Sequence, residues 1–335
     1  MELKKQELLK ALEIVKPGLA GKEIIEQTTS FAFINECVVT YNDEISISHP
    51  VEGLDMAGAI KADELYRLLG KIKQDSVDAK ISDNQIEIKS GKGMAKFLLQ
   101  SEIKLPLEEI SERSDWRDIY DGFSKDLLFA AQTCSKDMSM PKITCVHLNP
   151  EGFVEATDRY RITRIEAVLP VDKGVLIPAD AAVEVAKVNP TSMAVGSGWA
   201  HFQNKEGTVI SCWILEEDYV DLADHVNISG KKITFPKTTL EIIEKAAVFA
   251  KRDHFLDESI HVTLEDKKMK VRAESENGSY EEVANIRYKD EPASFIITPY
   301  LFREILQQTL DCELTKDRIV FSGDNWKYVA MLRNE

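Results

Sequence analysis

The stretch "AIKADELYRLL" (Ala59–Leu69) joins an apolar strand end to a helix with one apolar face. After Ile60, apolar residues return at Leu65, Leu68 and Leu69, the i, i+3, i+4 stripe of a half-buried helix. The same unit recurs as "VLIPADAAVEVA" from Val175 and "FIITPYLFREIL" from Phe295. Counted from Ile60, Ile177 and Ile297, the steps are 117 and 120 residues. The in-phase apolar positions are Ala182, Val185 and Ala186 in the second copy, and Phe302, Ile305 and Leu306 in the third. In the third copy Thr298 and Pro299 read as an N-cap and first helical residue.

A second helix precedes each of these units. It is carried by "ELLKALEIV", "DLLFAAQTC" and "EIIEKAAVF", starting at Glu7, Asp126 and Glu241. The first helix must stop at Pro17-Gly18, because proline has no N–H to give. A hairpin follows each second-type unit: "QIEIKSGKGMAKFLL", "AHFQNKEGTVISCWI" and "RIVFSGDNWKYVAML". Each is an alternating strand, a polar turn containing Gly, and another alternating strand. More strands, such as "SFAFINECVVTY" and "SIHVTLE", lie between the two helices of a copy. Every third of the chain therefore reads helix, strands, helix, strands. The implied class is α+β, built from three tandem repeats of two helices on antiparallel sheet. The expected modules are residues 1–114, 115–230 and 231–335. The polar stretches Ser101–Trp116 and Glu216–Lys232 read as linkers between them.

At 335 residues the chain exceeds the roughly 250–300 that one core serves, in keeping with several modules. It has no leading apolar segment and no apolar run of about 20 residues, so a cytoplasmic protein is expected. Cys37, Cys134, Cys145, Cys212 and Cys312 are an odd, scattered set with no C-x-x-C, which argues for thiols and against disulfides or zinc.

The net charge is −15, yet it is unevenly spread. The six helical segments with their flanks hold 18 basic and 13 acidic residues, out of 42 and 57 in the chain. A surface made of those helices could face phosphates while the acidic remainder repels them. The same count arises if Lys and Arg simply favour helices.

Catalytic patterns fail one by one. "SGKGMAK" (Ser90–Lys96) lacks the phosphate-loop spacing and lies between strands. "GSGW" (Gly196–Trp199) does not fit a nucleophile elbow. His49, His147, His201, His225, His254 and His261 are scattered without metal-ligand spacing. Asp158 and Arg161 in "TDRYR" read as a structural ion pair. No catalytic residues, no metal and no cofactor are expected, and the chain does not read as an enzyme.

Four stretches carry a resemblance. "ATDRYRI" (Ala156–Ile162), "DYVDLADHV" (Asp218–Val226), "YVAMLRN" (Tyr328–Asn334) and the loop "KPGLAGK" (Lys16–Lys22) stand in the order and spacing of motifs in one family. The chain resembles the bacterial DNA polymerase III β subunit, the sliding clamp. Its short length and divergent motifs suit a remote or phage-encoded member.

The resemblance implies a head-to-tail homodimeric ring, with helices lining a hole that double-stranded DNA threads without sequence readout. It implies partners: a DNA polymerase, an ATP-dependent clamp loader and other proteins bearing clamp-binding peptides. It places such a clamp in the bacterial cytoplasm or nucleoid, or in the host cytoplasm if phage-encoded. By match to the family, Lys22 would face DNA, and Lys136, Lys142, Lys251 and Arg252 join it as cations near helix ends. A partner-peptide pocket would use Thr157, Arg161, Ile162, Val220, Val329, Met331 and Leu332, though the apolar ones could equally be core. Arg159-Tyr160 stands where the family has Gly-His, and Leu332-Arg333 where it has Pro-Met, so the accepted peptide should differ. Val248 and Phe249 match exposed apolar residues of the subunit interface, or else pack in their own module. A repeat scaffold that binds linear peptides without encircling DNA is the alternative.

Overall fold

The computed structural model describes residues 1–82, 84–110, 115–253 and 257–333. His254, Asn334 and the expected boundary at residue 114 lie outside the described residues. One order of elements is repeated three times. The first pass is β1 (Glu2–Lys4), α1 (Lys5–Val15), β2 (Ser30–Ile34), β3 (Cys37–Tyr41), β4 (Ile45–Pro50) and β5 (Gly58–Lys61). It continues with α2 (Ala62–Lys71), β6 (Ser76–Ser82), β7 (Gln85–Ser90) and β8 (Gly93–Leu98). The second pass is β9 (Arg117–Asp118), α3 (Phe123–Thr133), β10 (Cys145–Asn149), β11 (Phe153–Thr157), β12 (Arg161–Glu166) and β13 (Val175–Pro178). Then come α4 (Ala179–Val188), β14 (Ser192–Val195), β15 (Trp199–Gln203) and β16 (Val209–Trp213). A short α5 (Ala223–Val226) leads to the third pass: β17 (Lys231–Thr234), α6 (Thr239–Ala250), β18 (Ile260–Glu265), β19 (Lys268–Ser275), β20 (Gly278–Asn285) and β21 (Ala293–Ile297). It closes with α7 (Pro299–Leu306), β22 (Asp311–Leu314), β23 (Arg318–Ser322) and β24 (Trp326–Met331).

The helices form where the stripes predict, and bury those stripes. Leu8, Ala11, Leu12 and Val15 are inside on α1, and Leu65 and Leu69 on α2. Ile242, Ile243 and Ala246 are inside on α6. Leu128 on α3 departs from its expected stripe and stays exposed. α1 ends at Val15, and Lys16–Gly18 tightens into a 3₁₀ turn. Thr40 donates its hydroxyl to the Val15 carbonyl, and a Cβ at Gly18 would collide with that hydroxyl, so only glycine fits the turn. Thr298 stands at the N-cap of α7 with Pro299 first in the helix, but its side chain makes no capping bond.

The chain divides into two compact units. One comprises Met1–Gln132, Cys145–Gly152 and Val168–Asp218, and holds an eight-stranded antiparallel sheet in the order β5-β2-β3-β4-β16-β15-β14-β9. It also holds the four-stranded sheet β1-β6-β7-β8 and the β10–β13 pair. The other comprises Thr133–Thr144, Phe153–Ala167 and Tyr219–Glu335. It holds the ladder β11-β12-β24-β23-β22-β17 and the four-stranded sheet β20-β19-β18-β21. Neither unit coincides with a sequence repeat, because strands of successive repeats share ladders: β4 pairs with β16, and β12 with β24.

Both stretches read as linkers contain packed residues. Leu105 and Ile110 are buried against Ala32, Val39, Tyr41 and Ala59, with Ile103 and Leu107 beside them. Gln27 fastens this strap: its Nε2 donates to the Glu102 carbonyl at 2.7 Å and its Oε1 accepts from the Lys104 N–H at 2.8 Å. In the second stretch, Leu222 and Val226 are buried. The charged residues between these apolar anchors hid them. No disulfide joins the five cysteines, and all but the half-buried Cys37 are inside.

Candidate functional site

The hairpin joining β11 to β12 organises the site. The Thr157 hydroxyl donates to the Arg161 carbonyl at 2.8 Å and accepts the Arg159 N–H at 3.1 Å. Asp158 Oδ1 accepts the Tyr160 and Arg161 N–H groups, both at 3.0 Å. Arg159 sits at φ +78°, a left-handed conformation that a non-glycine side chain adopts at a cost.

Arg161 turns inward, with only 4% of its side chain exposed. Its Nε meets Asp158 Oδ2 at 2.9 Å, and its Nη1 meets Glu304 Oε1 on α7 at 2.7 Å. The Tyr300 ring lies 5.5 Å from the guanidinium. Burial would pull the guanidinium down, but Tyr328, Glu304 and Asp158 outweigh it and push it above its ordinary range. Burial likewise pushes the Tyr328 phenol up. The expected Asp158–Arg161 ion pair is thus present, with Glu304 as a second carboxylate that sequence spacing could not reveal.

Beside this network Ile162 pairs with Val329 across β12 and β24, and Val329 pairs with Val320 on β23. Val226, Val320 and Val329 form a buried cluster, with Ile162 and Ile228 packed against it. Val226 comes from α5, which lies on β24. Of the sequence candidates, Ile162 and Val329 meet here, while Thr157 and Arg161 anchor the adjoining turn. Leu332 is buried and Met331 is 42% exposed, its N–H bonded to the Tyr160 carbonyl at 2.8 Å. Val220 is half-buried and outside the cluster. Val226, Val320 and Ile228 were missed, although the alternation in "HVNI" was a signal within the supposed linker.

The cationic candidates are dispersed. Lys22, Lys136 and Lys251 are exposed, and Lys142 is half-buried in a 3₁₀ turn at Pro141–Thr144. Arg252 instead wraps the end of α6, donating to the carbonyls of Phe249, Ala250, Lys251 and Glu274. Val248 is 71% exposed. Phe249 stacks on Tyr280 of β20, ring centroids 6.1 Å apart.

Among the described residues, β8 is an end strand of the four-stranded sheet in one unit, and β20 is an end strand of the four-stranded sheet in the other. Both are largely exposed, and they leave Met94, Leu98 and Val283 at 56%, 68% and 50% exposure.

The fold has solved counterparts. A sliding clamp (DNA polymerase III subunit beta) from Pseudomonas aeruginosa, bound to griselimycin, matches 100% of this chain and 99% of its own at TM-score 0.86 and 14% identity. The DNA polymerase sliding clamp of Bacillus subtilis matches 100% and 98% at TM-score 0.85 and 15% identity. The DNA polymerase III beta chain of Streptococcus pneumoniae matches 100% and 99% at TM-score 0.84 and 18% identity. At these identities the likeness is one of fold, the sliding-clamp fold, over the full chain. No family sequence model matches, and no curated protein matches in sequence.

Proposed function

We propose that this chain is a non-catalytic sliding clamp: two copies close head to tail around double-stranded DNA and tether a polymerase to it. The observation that carries this is the rule by which its strands join. The last of the β2-β3-β4 run pairs with β16, and the last of the β10-β11-β12 run pairs with β24. The corresponding last strand of the third pass is β20, and the corresponding partner from the first pass is β8. Among the described residues both are sheet edges with no strand paired outside them. Two such edges on one molecule are a heterologous interface, satisfied when β20 of each copy meets β8 of the other. Val248 on α6, beside the Phe249–Tyr280 stack that backs β20, fits the rim of that junction.

In this reading the three modules are residues 1–114, 115–230 and 231–335, and Lys22, Lys136, Lys142 and Lys251 supply sparse phosphate contacts. Arg252 is the weakest of that set, since its donors are committed to carbonyls. The Ile162–Val329 cluster, with Met331 at its margin, receives short apolar peptides from the polymerase, an ATP-dependent loader and other clamp-binding proteins. Arg161 positions the turn and does not touch the peptide, being locked by two carboxylates. The chain works in the cytoplasm.

Native mass and retention on DNA test the proposal together. A dimer that stays on nicked circular DNA after loading and runs off once the circle is cut is the expected result. Peptide binding without retention on circles would replace it with the scaffold reading. Retention that is indifferent to circularity and strongly salt-dependent would make the chain an ordinary DNA-binding module.

A further inference from the structure

Strand alternation in β19, "KMKVRAES", sends Met269, Val271 and Ala273 inward under α6. Lys270 and Arg272 therefore share the opposite face. On β18 the cross-strand partners on that face are Thr263 and His261. At its end Arg252 arrives from the terminus of α6, its guanidinium fixed by four carbonyls, the farthest of them along the chain being Glu274 at 2.9 Å on β19. Together with Ser259 these residues line a concavity of about 290 Å³.

The charge there runs against the rest of the molecule. Arg252, Lys270 and Arg272 surround the concavity in a chain of net −15, and among the described residues Glu274 is the carboxylate in its lining. Glu274 takes one edge of Arg272. Glu281 approaches Lys270 at 3.7 Å, too long to use up its donors. Arg252 has carbonyl partners and no carboxylate among the described residues. Like cations this close repel one another unless an anion sits between them.

We propose that this concavity is a phosphate-binding site. The Arg272 guanidinium, the Lys270 ammonium and the hydroxyls of Ser259 and Thr263, beside the fixed charge of Arg252, suit a group with several oxygens and more than one negative charge, better than a single carboxylate. The space exceeds that of a bare phosphate and admits either a small phosphorylated molecule or one backbone phosphate of a nucleic-acid strand. The site does not depend on ring closure, and it lies on the sheet face away from α6.

The test uses the full chain, inorganic diphosphate and a short single-stranded oligonucleotide at moderate salt. Binding is read by calorimetry and by the Nε–Hε NMR signals of Arg252 and Arg272. Binding should move both signals and weaken roughly tenfold or more in the Lys270→Gln, Arg272→Gln double variant. Both side chains are about half exposed, so the variant should keep its unfolding transition, which is measured alongside. Lys89→Gln on β7, an exposed lysine of another sheet, should bind as the unaltered chain does. Binding of diphosphate supports the site with a small-molecule source. Binding of the strand alone supports it with a nucleic-acid source. The proposal is overturned if neither ligand moves the arginine signals, or if the double variant binds as tightly as the original.

Discussion

At Arg161 a guanidinium has been taken almost wholly out of water and given two carboxylates in exchange. Such a pair contributes little over an apolar substitute, but removing one member strands the other. Glu304→Gln should therefore cost about 3 kcal/mol in urea unfolding, far more than a surface charge change. A loss below about 1 kcal/mol would mean that Asp158 alone suffices. His49 offers a second residue-scale test. Its Nδ1 lies 2.8 Å from the Thr208 hydroxyl. Burial depresses the imidazole below its ordinary 6.5, Glu206 opposes this, and Lys10 adds to it. The unfolded chain then takes up the proton first as pH falls. The stability held by neutral His49 is complete above about pH 6.5 and is lost as pH drops through the lower folded value. Unfolding free energy followed from pH 7.5 to about 5 should decline less in His49→Gln than in the parent. The carboxylate partner of Arg161 illustrates what sequence hides. Asp158 is three residues away and legible, whereas Glu304 is 143 residues away, brought in by folding alone.

Elements were legible in proportion to how periodic they are. The six stripe-bearing helices stand where Leu65, Val185, Ile243 and their kin put them, since a buried face must repeat each turn. The strap through Ile103, Leu105 and Ile110 was not legible. Its apolar residues alternate briefly around one proline and among glutamates, and its clamp, Gln27, lies 75 residues upstream of Glu102. Leu105→Ala should cost about 2–4 kcal/mol by differential scanning calorimetry or urea. A true linker would lose almost nothing. The edges β8 and β20 make the other element-scale prediction. Leu98→Lys combined with Val283→Lys places charge on two exposed positions, so each chain should fold normally. Native mass should fall from two copies to one. An unchanged dimer would exclude these edges from the interface.

For the whole molecule, charge separates gripping from enclosing. With net −15 the chain cannot hold DNA by general attraction, and the dispersed Lys22, Lys136 and Lys251 are too few for tight binding. Changing those three to Ala should lower weak association with linear DNA, reducing the slope of log K against log salt by about 0.9 for each phosphate left without its lysine. Retention of loaded protein on circles should scarcely move.

The two unmatched edges also set how damage would be inherited. If β20 of each copy meets β8 of the other, a copy with a spoiled β8 still presents a sound β20. It would engage a healthy partner through one seam and leave the second gaping. A minority of such chains would then disable a larger share of the population, and the defect would be dominant in a mixed cell, whereas a chain failing at both seams would be harmlessly ignored.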